Sequence, residues 1–410
     1  MLSGLPRDGR DPGSPTAPPL GASQEETRRQ NLGAVLRHVH LHGPTTRAEL
    51  TSRLGLNRST IGALAGDLAA VGLVTEEAAP TTGRRAGRPS LVVSPRSGRV
   101  YATALSIEVD RLRAARIGLG GRILDLRETD RQPGMSAVDA VGALAALVRD
   151  MERLVEADRV CVGGAVAVAD STRSPDGRIR IGGPDDALRA EVADRFADGP
   201  AVVVGDLADI AGLAEHARGA AAGSDDLVYL HGGPGVSAGI IVGGRLVVGH
   251  RGHSGKVGHM VVNPDGLPCW CGSRGCWETE IGEAALLRYA GRHADAPGAV
   301  AEVLRAAVSG EPTASAAVDH VADWLGFGLA NLINVINPHT VVLGGSLRAL
   351  HAAGAGTVRR RLDELALPTS APRQVRLRPA ALGRDAALIG AAELAFDQLL
   401  ADPLNVGVPG

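Results

Sequence analysis

The chain has 410 residues, too many for one ordinary domain and enough for two or three. Hydrophobic residues make up 44% and aromatics only 2%, so a sizeable core must be built from Ala, Val, Leu and Ile. No apolar run reaches the roughly 18 residues that cross a bilayer, and the first residues lack the charged-then-apolar order of a signal peptide; the expectation is a cytoplasmic protein with no membrane partner.

The formal charge of −2 conceals an asymmetry. Between Arg28 and Arg99 there are 11 arginines against 4 acids, Glu49, Asp67, Glu76 and Glu77, whereas residues 100–410 are net acidic. A small basic module ahead of a larger acidic body suits a nucleic-acid unit on a sensor. Basic residues are almost all arginine, and Lys256 is the single lysine.

Residues 1–23 are rich in Pro, Gly and Ser with little to bury, which predicts a disordered tail. Residues 28–41 place Leu32, Val35, Leu36 and Val39 at helical spacing, and Gly43-Pro44 stops that helix. Thr46 with Glu49 three residues on forms a capping box for a short helix, Arg47 to Leu54. Gly55-Leu56-Asn57 makes a tight turn, and a third helix begins near Arg58 with Ile61, Leu64, Leu68 and Val71 on one face. Two short helices joined by a glycine turn are the helix-turn-helix pattern. A strand from Gly72-Leu73-Val74, a basic loop over residues 82–89 and a strand at Leu91-Val92-Val93 complete a winged unit over 24–95.

From Val100 the pattern is α/β. Strands are expected at 100–108, 111–118 and 121–127, a helix at 136–156, strands at 160–168 and 201–205, and a helix at 207–222. Strands follow at 226–231, 236–242 and 245–248, with Gly243-Gly244 as a hairpin turn. Beyond 283 the chain is mostly helical, apart from a buried strand at Thr340–Leu343. The body is taken as 96–402 with a short tail at 403–410, and no solenoid repeat is visible.

A recognition helix offers its N-terminal side chains to base edges in the major groove. Here those are Asn57, Arg58, Ser59 and Thr60, with Arg58 suited to guanine. Arg47 is expected on a phosphate, and Arg84, Arg85 and Arg88 in the wing suit a narrow minor groove. The partner is double-stranded DNA, read by a homodimer or homotetramer, which would place the protein on the nucleoid when bound.

Three of four cysteines crowd into residues 269–276, which in a reducing compartment argues for metal. His259, Cys269, Cys271 and Cys276 make a closed tetrahedral set for one structural Zn2+ per chain, with no position left for an activated water. Cys161, in the apolar run Val160-Cys161-Val162, is expected to be a buried strand residue.

Three stretches carry a family resemblance. They are Gly249-His250-Arg251-Gly252-His253-Ser254-Gly255-Lys256-Val257-Gly258-His259-Met260, its continuation from Cys269 to Glu278, and Asn337-Pro338-x-x-Val341-Val342-Leu343-Gly344-Gly345. From Val100 to about Asp397 the chain resembles the ROK family of repressors, open reading frames and kinases, in its repressor branch. The resemblance implies a two-lobed, actin-like and hexokinase-like fold around a sugar cleft, with ATP beside the sugar in the kinases. It also implies that Asp206 matches the kinase base, that Glu278 belongs to a sugar clamp and that the zinc-bound His259 faces the sugar.

Departures from the family's kinase motifs point away from catalysis. The first phosphate turn reads Ser106-Ile107-Glu108-Val109-Asp110, whose carboxylates repel phosphate, and the second reads Gly233-Pro234-Gly235, in which proline lacks a donor. Gly205 replaces a sugar-binding asparagine beside Asp206, and Lys256 replaces a clamp glutamate. The expected function is a DNA-binding transcriptional regulator, a repressor in the commoner family manner, controlled by a sugar or sugar derivative at Asp206, Lys256, His259 and Glu278, with no kinase activity. Lys256 suggests a sugar acid or sugar phosphate, unless it pairs internally with Glu278. Asp206 also fits a helix N-cap. The alternatives are an active hexose kinase that also binds DNA, and a DNA-binding protein without an effector.

Overall fold

The computed structural model describes residues 24–78, 91–169, 171–173, 179–181, 185–293, 298–367 and 375–405. The expected N-terminal tail and the wing arginines Arg84, Arg85 and Arg88 lie outside the described residues. The chain divides into two compact units, one of Met1–Val100 with Asp397–Gly410 and one of Tyr101–Phe396. The segment from Asp397, assigned to the body on sequence, therefore groups with the N-terminal unit.

In the first unit, α1 (Gln24–His42) buries Leu32, Val35, Leu36 and Val39, the face that the helical spacing marks. It is followed by α2 (Arg47–Leu54) and α3 (Arg58–Ala70). Gly55 ends α2 at φ 66°, a left-handed conformation that only glycine adopts cheaply, so the chain turns at once into α3. Ile61, Leu64, Ala65 and Leu68 turn inward. Strands β1 (Thr45–Thr46), β2 (Val74–Ala78) and β3 (Leu91–Pro95) form an antiparallel sheet in the order β1-β3-β2. At Gly33 α1 meets the backbone of Leu400, where any side chain would collide, and Arg37 pairs with Asp397 at 3.1 Å.

The second unit holds two five-stranded sheets. The first contains β4 (Val100–Ile107), β5 (Arg111–Gly118), β6 (Arg122–Asp130), β7 (Val160–Val168) and β10 (Val202–Asp206), in the order β10-β7-β4-β5-β6. A two-stranded pair, β8 (Ser171–Arg173) and β9 (Ile179–Ile181), stands apart from it. The second contains β11 (Leu227–Gly232), β12 (Val236–Val242), β13 (Arg245–Leu246), β14 (Thr340–Gly345) and β15 (Arg376–Pro379), in the order β13-β12-β11-β14-β15. The two orders are the same. Each sheet starts as a three-strand meander and adds two later strands beside the meander's first strand. The fold is thus an internal duplication, which no sequence repeat betrays. Cys161 lies on β7 as expected but is only half-buried.

Each fifth strand leads towards a crossing helix: α6 (Leu207–Ala217) directly after β10, and α12 (Ala386–Ala401) soon after β15. Leu207, Ala208, Ile210, Ala211 and Ala214 of α6 are all buried, as befits a helix enclosed on every side. Although α6 follows the first sheet, it packs on β11 and β12 of the second. It crosses α12 where Gly390 lies on the backbone of Ile210, and Arg218 pairs with Glu393 at 2.5 Å. The helix ends at Ala217, earlier than the expected 222, because Glu215 draws the chain away. Its fully buried carboxylate accepts from the N–H groups of Ala220 (2.6 Å), Ala381 (3.1 Å) and Leu382 (2.8 Å). Three backbone donors offset the cost of burying that charge.

Helices not assigned one by one on sequence include α5 (Asp186–Arg195) before β10, α7 (Glu278–Ile281), and α8 (Glu283–Tyr289) in the region beyond 283 read simply as helical. There α9 (Ala299–Val308), α10 (Pro312–Ile336) and α11 (Ser346–Leu365) cover the second sheet, and α4 (Ala137–Glu152) covers the first. Among the described residues no helix is long and apolar enough to cross a membrane.

The approach of α6 to β12 depends on Gly239, whose absent side chain would meet the carbonyl of Ala208. Gly239→Ala forces overpacking at that crossing and is expected to destabilise the protein by about 1–3 kcal/mol. Denaturant unfolding of the two proteins side by side checks this, with Gly66→Ala, at a site with open space around it, as the tolerated control.

Candidate functional site

The first candidate surface is the N-terminus of α3. Asn57 is its N-cap: Oδ1 accepts from the Thr60 N–H at 2.8 Å and from the Ser59 hydroxyl at 2.7 Å. Asn57 was expected to face bases, and its carbonyl is engaged in holding the first turn instead. Arg58 and Ser59 are exposed on that turn and Thr60 is half-buried. Arg47, expected on a phosphate, has a partner within the unit. Its guanidinium grips Glu76 of β2 through Nε (2.6 Å) and Nη2 (2.5 Å), and it lies beside Gly62 of α3. A bidentate fork of this kind ties the start of α2 to the wing strand. Nothing in the local sequence pairs Arg47 with a residue on another element.

The second candidate is the cysteine cluster. The ligand atoms of His259, Cys269, Cys271 and Cys276 all lie within 4.8 Å of one another. Cys271 Sγ is 3.6 Å from Cys276 Sγ, and Cys269 Sγ is 3.8 Å from His259 Nδ1. Bonds of 2.0–2.3 Å to a tetrahedral zinc put neighbouring donors about 3.5–3.8 Å apart, so the residues fit that ion. The loop is shaped for it. Gly275 at φ 69° approaches the Asn263 carbonyl too closely for a Cβ, and Gly275 N–H bonds to the Leu267 carbonyl at 2.8 Å. Trp277, fully buried, anchors the loop's exit through Nε1 donating to the Trp324 carbonyl at 2.8 Å.

The third is a set of polar side chains in the second unit, Asp206 paired with Lys256 and Glu278 beside His259. Asp206 closes β10 and caps α6, Oδ1 accepting from the Ala208 N–H at 2.9 Å. The N-cap reading of Asp206 is therefore met. Its Oδ2 accepts from Lys256 Nζ at 2.7 Å. Lys256 thus has an internal partner, but it is Asp206 rather than Glu278. In the absence of ligand the ammonium of Lys256 is thus matched by a carboxylate. Glu278 is buried against the cysteine cluster, with Oε1 3.2 Å from Cys269 Sγ and 3.7 Å from His259 Nδ1.

His231 was missed on sequence. It is the last residue but one of β11, its Nδ1 lies 3.3 Å from the Tyr229 hydroxyl, and burial pushes its imidazole down to about 4 against the pull of Asp206. The ring is neutral at pH 7. A lone polar residue closing the apolar run Leu227-Val228-Tyr229-Leu230 was the available signal.

Two hairpins, β4–β5 and β11–β12, stand at equivalent places in the duplicated sheets. In the first, the Glu108 N–H donates to the Arg111 carbonyl at 2.9 Å. Burial raises the Glu108 carboxyl, while Arg113 at 3.8 Å and the Ser106 hydroxyl at 3.1 Å oppose that rise. Arg113 is itself buried and bonded to Asp385 at 2.5 Å. In the second, the Gly233 N–H is spent on the Gly235 carbonyl at 3.0 Å.

A winged helix-turn-helix, a duplicated α/β body and a Cys3His cluster beside its cleft together define a class of sugar-kinase-like proteins that carry a DNA-binding module. A ROK family profile matches residues 103–398 and a MarR family profile matches residues 33–85. The chain belongs to the ROK family. It is 24% identical over 388 residues to the xylose repressor of Bacillus subtilis, covering 92% of this chain and 98% of that protein. It is 33% identical to the glucokinase of Halalkalibacterium halodurans over 212 residues, which span 48% of this chain and 64% of the enzyme, less than two thirds of its length. Among solved structures, a ROK family transcriptional regulator described as a homolog of the E. coli MLC protein superposes with a TM-score of 0.71 at 24% identity, over 92% of this chain and 98% of that one. A glucokinase from Streptomyces griseus, in complex with glucose and AMPPNP, gives a TM-score of 0.58 at 29% identity, over 72% of this chain and 98% of that one.

The metal cluster yields a direct expectation. Protein purified without chelator should contain one zinc per chain by elemental analysis. Cys276→Ser should lose the metal and melt at a lower temperature, since a closed site contributes folding energy. Full metal content and an unchanged melt in that variant would refute the assignment.

Proposed function

We propose that the protein is a sequence-specific transcriptional regulator, a repressor, whose winged helix binds double-stranded DNA and whose ROK body senses a sugar or sugar derivative. The observation that carries this reading is a capped recognition helix presenting Arg58 and Ser59, in one chain with a ROK body. The alignment with the xylose repressor over nearly both full lengths supports it, as does the similarity to the N-acetylglucosamine repressor of Escherichia coli, 27% identical over 81% of that protein. A homodimer on a near-palindromic site follows from how helix-turn-helix proteins read DNA. An effector acts here by binding one of two states more tightly, and it can shift DNA affinity only by that difference. The four cluster residues would hold a zinc ion that cross-links the loop carrying Lys256 and His259 to the helix start at Glu278. The protein works in the cytoplasm, on the nucleoid when bound.

Phosphoryl transfer is absent in this reading. The hairpin donors that a phosphate would need are spent within the loops at Glu108 and Gly233, and Pro234 has none. A general base must reach the proton it removes, and the matching carboxylate, Asp206, is covered at Oδ2 by an ammonium. The kinase alternative rests on the retention of Asp206 and Glu278.

Two measurements test the proposal. Arg58→Ala should weaken binding to a selected operator by about 1–3 kcal/mol in fluorescence anisotropy and relax preference at one base position. A uniform loss across unrelated sequences would instead make Arg58 a phosphate contact. Calorimetric titration of the zinc-loaded protein with Mg-ATP should show no heat of binding; micromolar affinity would restore the kinase reading, with Asp206→Asn as the control for turnover.

A further inference from the structure

We infer that the Lys256–Asp206 ion pair is a latch across the effector cleft, an internal occupant that a sugar must displace. This rests on the sensor reading above and concerns how that site is regulated. The two partners belong to different halves of the duplicated fold. Asp206 ends the fifth strand of the first sheet and is held rigidly as the cap of α6. Lys256 lies beyond the third strand of the second sheet, on a loop fastened to β12.

That fastening leaves Lys256 little freedom at its base. Gly255, at φ 75°, approaches the Ala238 carbonyl so closely that no Cβ would fit, and its own carbonyl accepts the Ala238 N–H at 2.8 Å. Gly258 is pressed in the same way against the Val236 carbonyl. With the backbone pinned on both sides, the side chain reaches Asp206 and places Nζ 2.7 Å from its Oδ2. Asp206 is 7% exposed at its side chain and Lys256 28%. A pair this sheltered keeps much of its Coulomb attraction, and removing one member leaves a buried charge in need of donors.

Sugar hydroxyls bind by donating to a carboxylate and accepting from a donor. Asp206 is the acceptor in the cleft, and the ammonium stands on its open oxygen. An incoming hydroxyl must therefore replace a bond charged on both sides with one charged on the carboxylate side alone, which loses the Coulomb attraction of the ammonium. The latch lowers intrinsic affinity and holds the two halves together while no effector is present. A ligand acts as an effector only if its other contacts outweigh the lost pair.

The test is calorimetric titration of full-length, zinc-loaded protein with D-glucose, D-xylose and N-acetyl-D-glucosamine. Wild type is compared with Lys256→Met and with Lys256→Met combined with Asp206→Asn, which removes both charges and leaves none buried alone. Operator binding and zinc content confirm that each variant is folded. The expected result is that at least one sugar binds Lys256→Met about tenfold more tightly than wild type, and that Asp206→Asn abolishes the gain. Weaker or equal binding by Lys256→Met overturns the latch and makes the ammonium a sugar contact or a bystander. If no sugar binds any of the proteins while all bind DNA, the sensor reading itself fails, and the latch with it.

Discussion

The packing of α6 on β12, and the ion pair beside it, is the constraint on which the cleft depends. A helix that follows the first sheet lies on the second because residue 239 is glycine. The cap of that helix, Asp206, thereby comes within 2.7 Å of Lys256 on the loop that leaves the second sheet. Removing the close approach would separate the two residues, and the cleft would lose both its acceptor position and the lysine that covers it. Glu278 is packed against the cysteine cluster, and His231 feels the charge of Asp206 from the end of β11.

Duplication gives the second unit two comparable hairpins. The two hairpins at Glu108 and at Pro234 occupy equivalent positions in two sheets of the same strand order. Each consumes its own backbone donors, one through Glu108 and one through Gly233. Arg113, buried between Glu108 and Asp385, supplies from inside the protein the cation that a phosphate turn would otherwise direct towards a ligand. A site whose charges are mutually satisfied is suited to holding a conformation rather than to stabilising a transition state, which requires preorganised donors aimed at a developing charge.

The DNA unit shows a comparable division of labour. Asn57 and Arg47 look like contact residues in a linear reading, yet one caps α3 and the other clamps α2 to the wing strand through Glu76. Both bonds fix the first turns of α2 and α3, on the second of which Arg58 and Ser59 are exposed.

Much of this protein was determined by its sequence acting locally. The boundaries of α2 and α3 follow from Thr46, Gly55 and Asn57, whose capping and left-handed preferences concern only their immediate neighbours. The metal set was legible because three of its four ligands lie within eight consecutive residues, where spacing alone brings donors together. The strands of both meanders were visible for the same reason, through alternation and hairpin glycines. The tertiary structure alone decided the rest. Lys256 and Asp206 are 50 residues apart, and Arg47 and Glu76 are 29 apart. The duplicated strand order and the α6–α12 crossing likewise join segments far apart in the chain. A charge chooses its partner by distance and burial, and those are set by how helices and sheets pack, not by the order of residues along the chain.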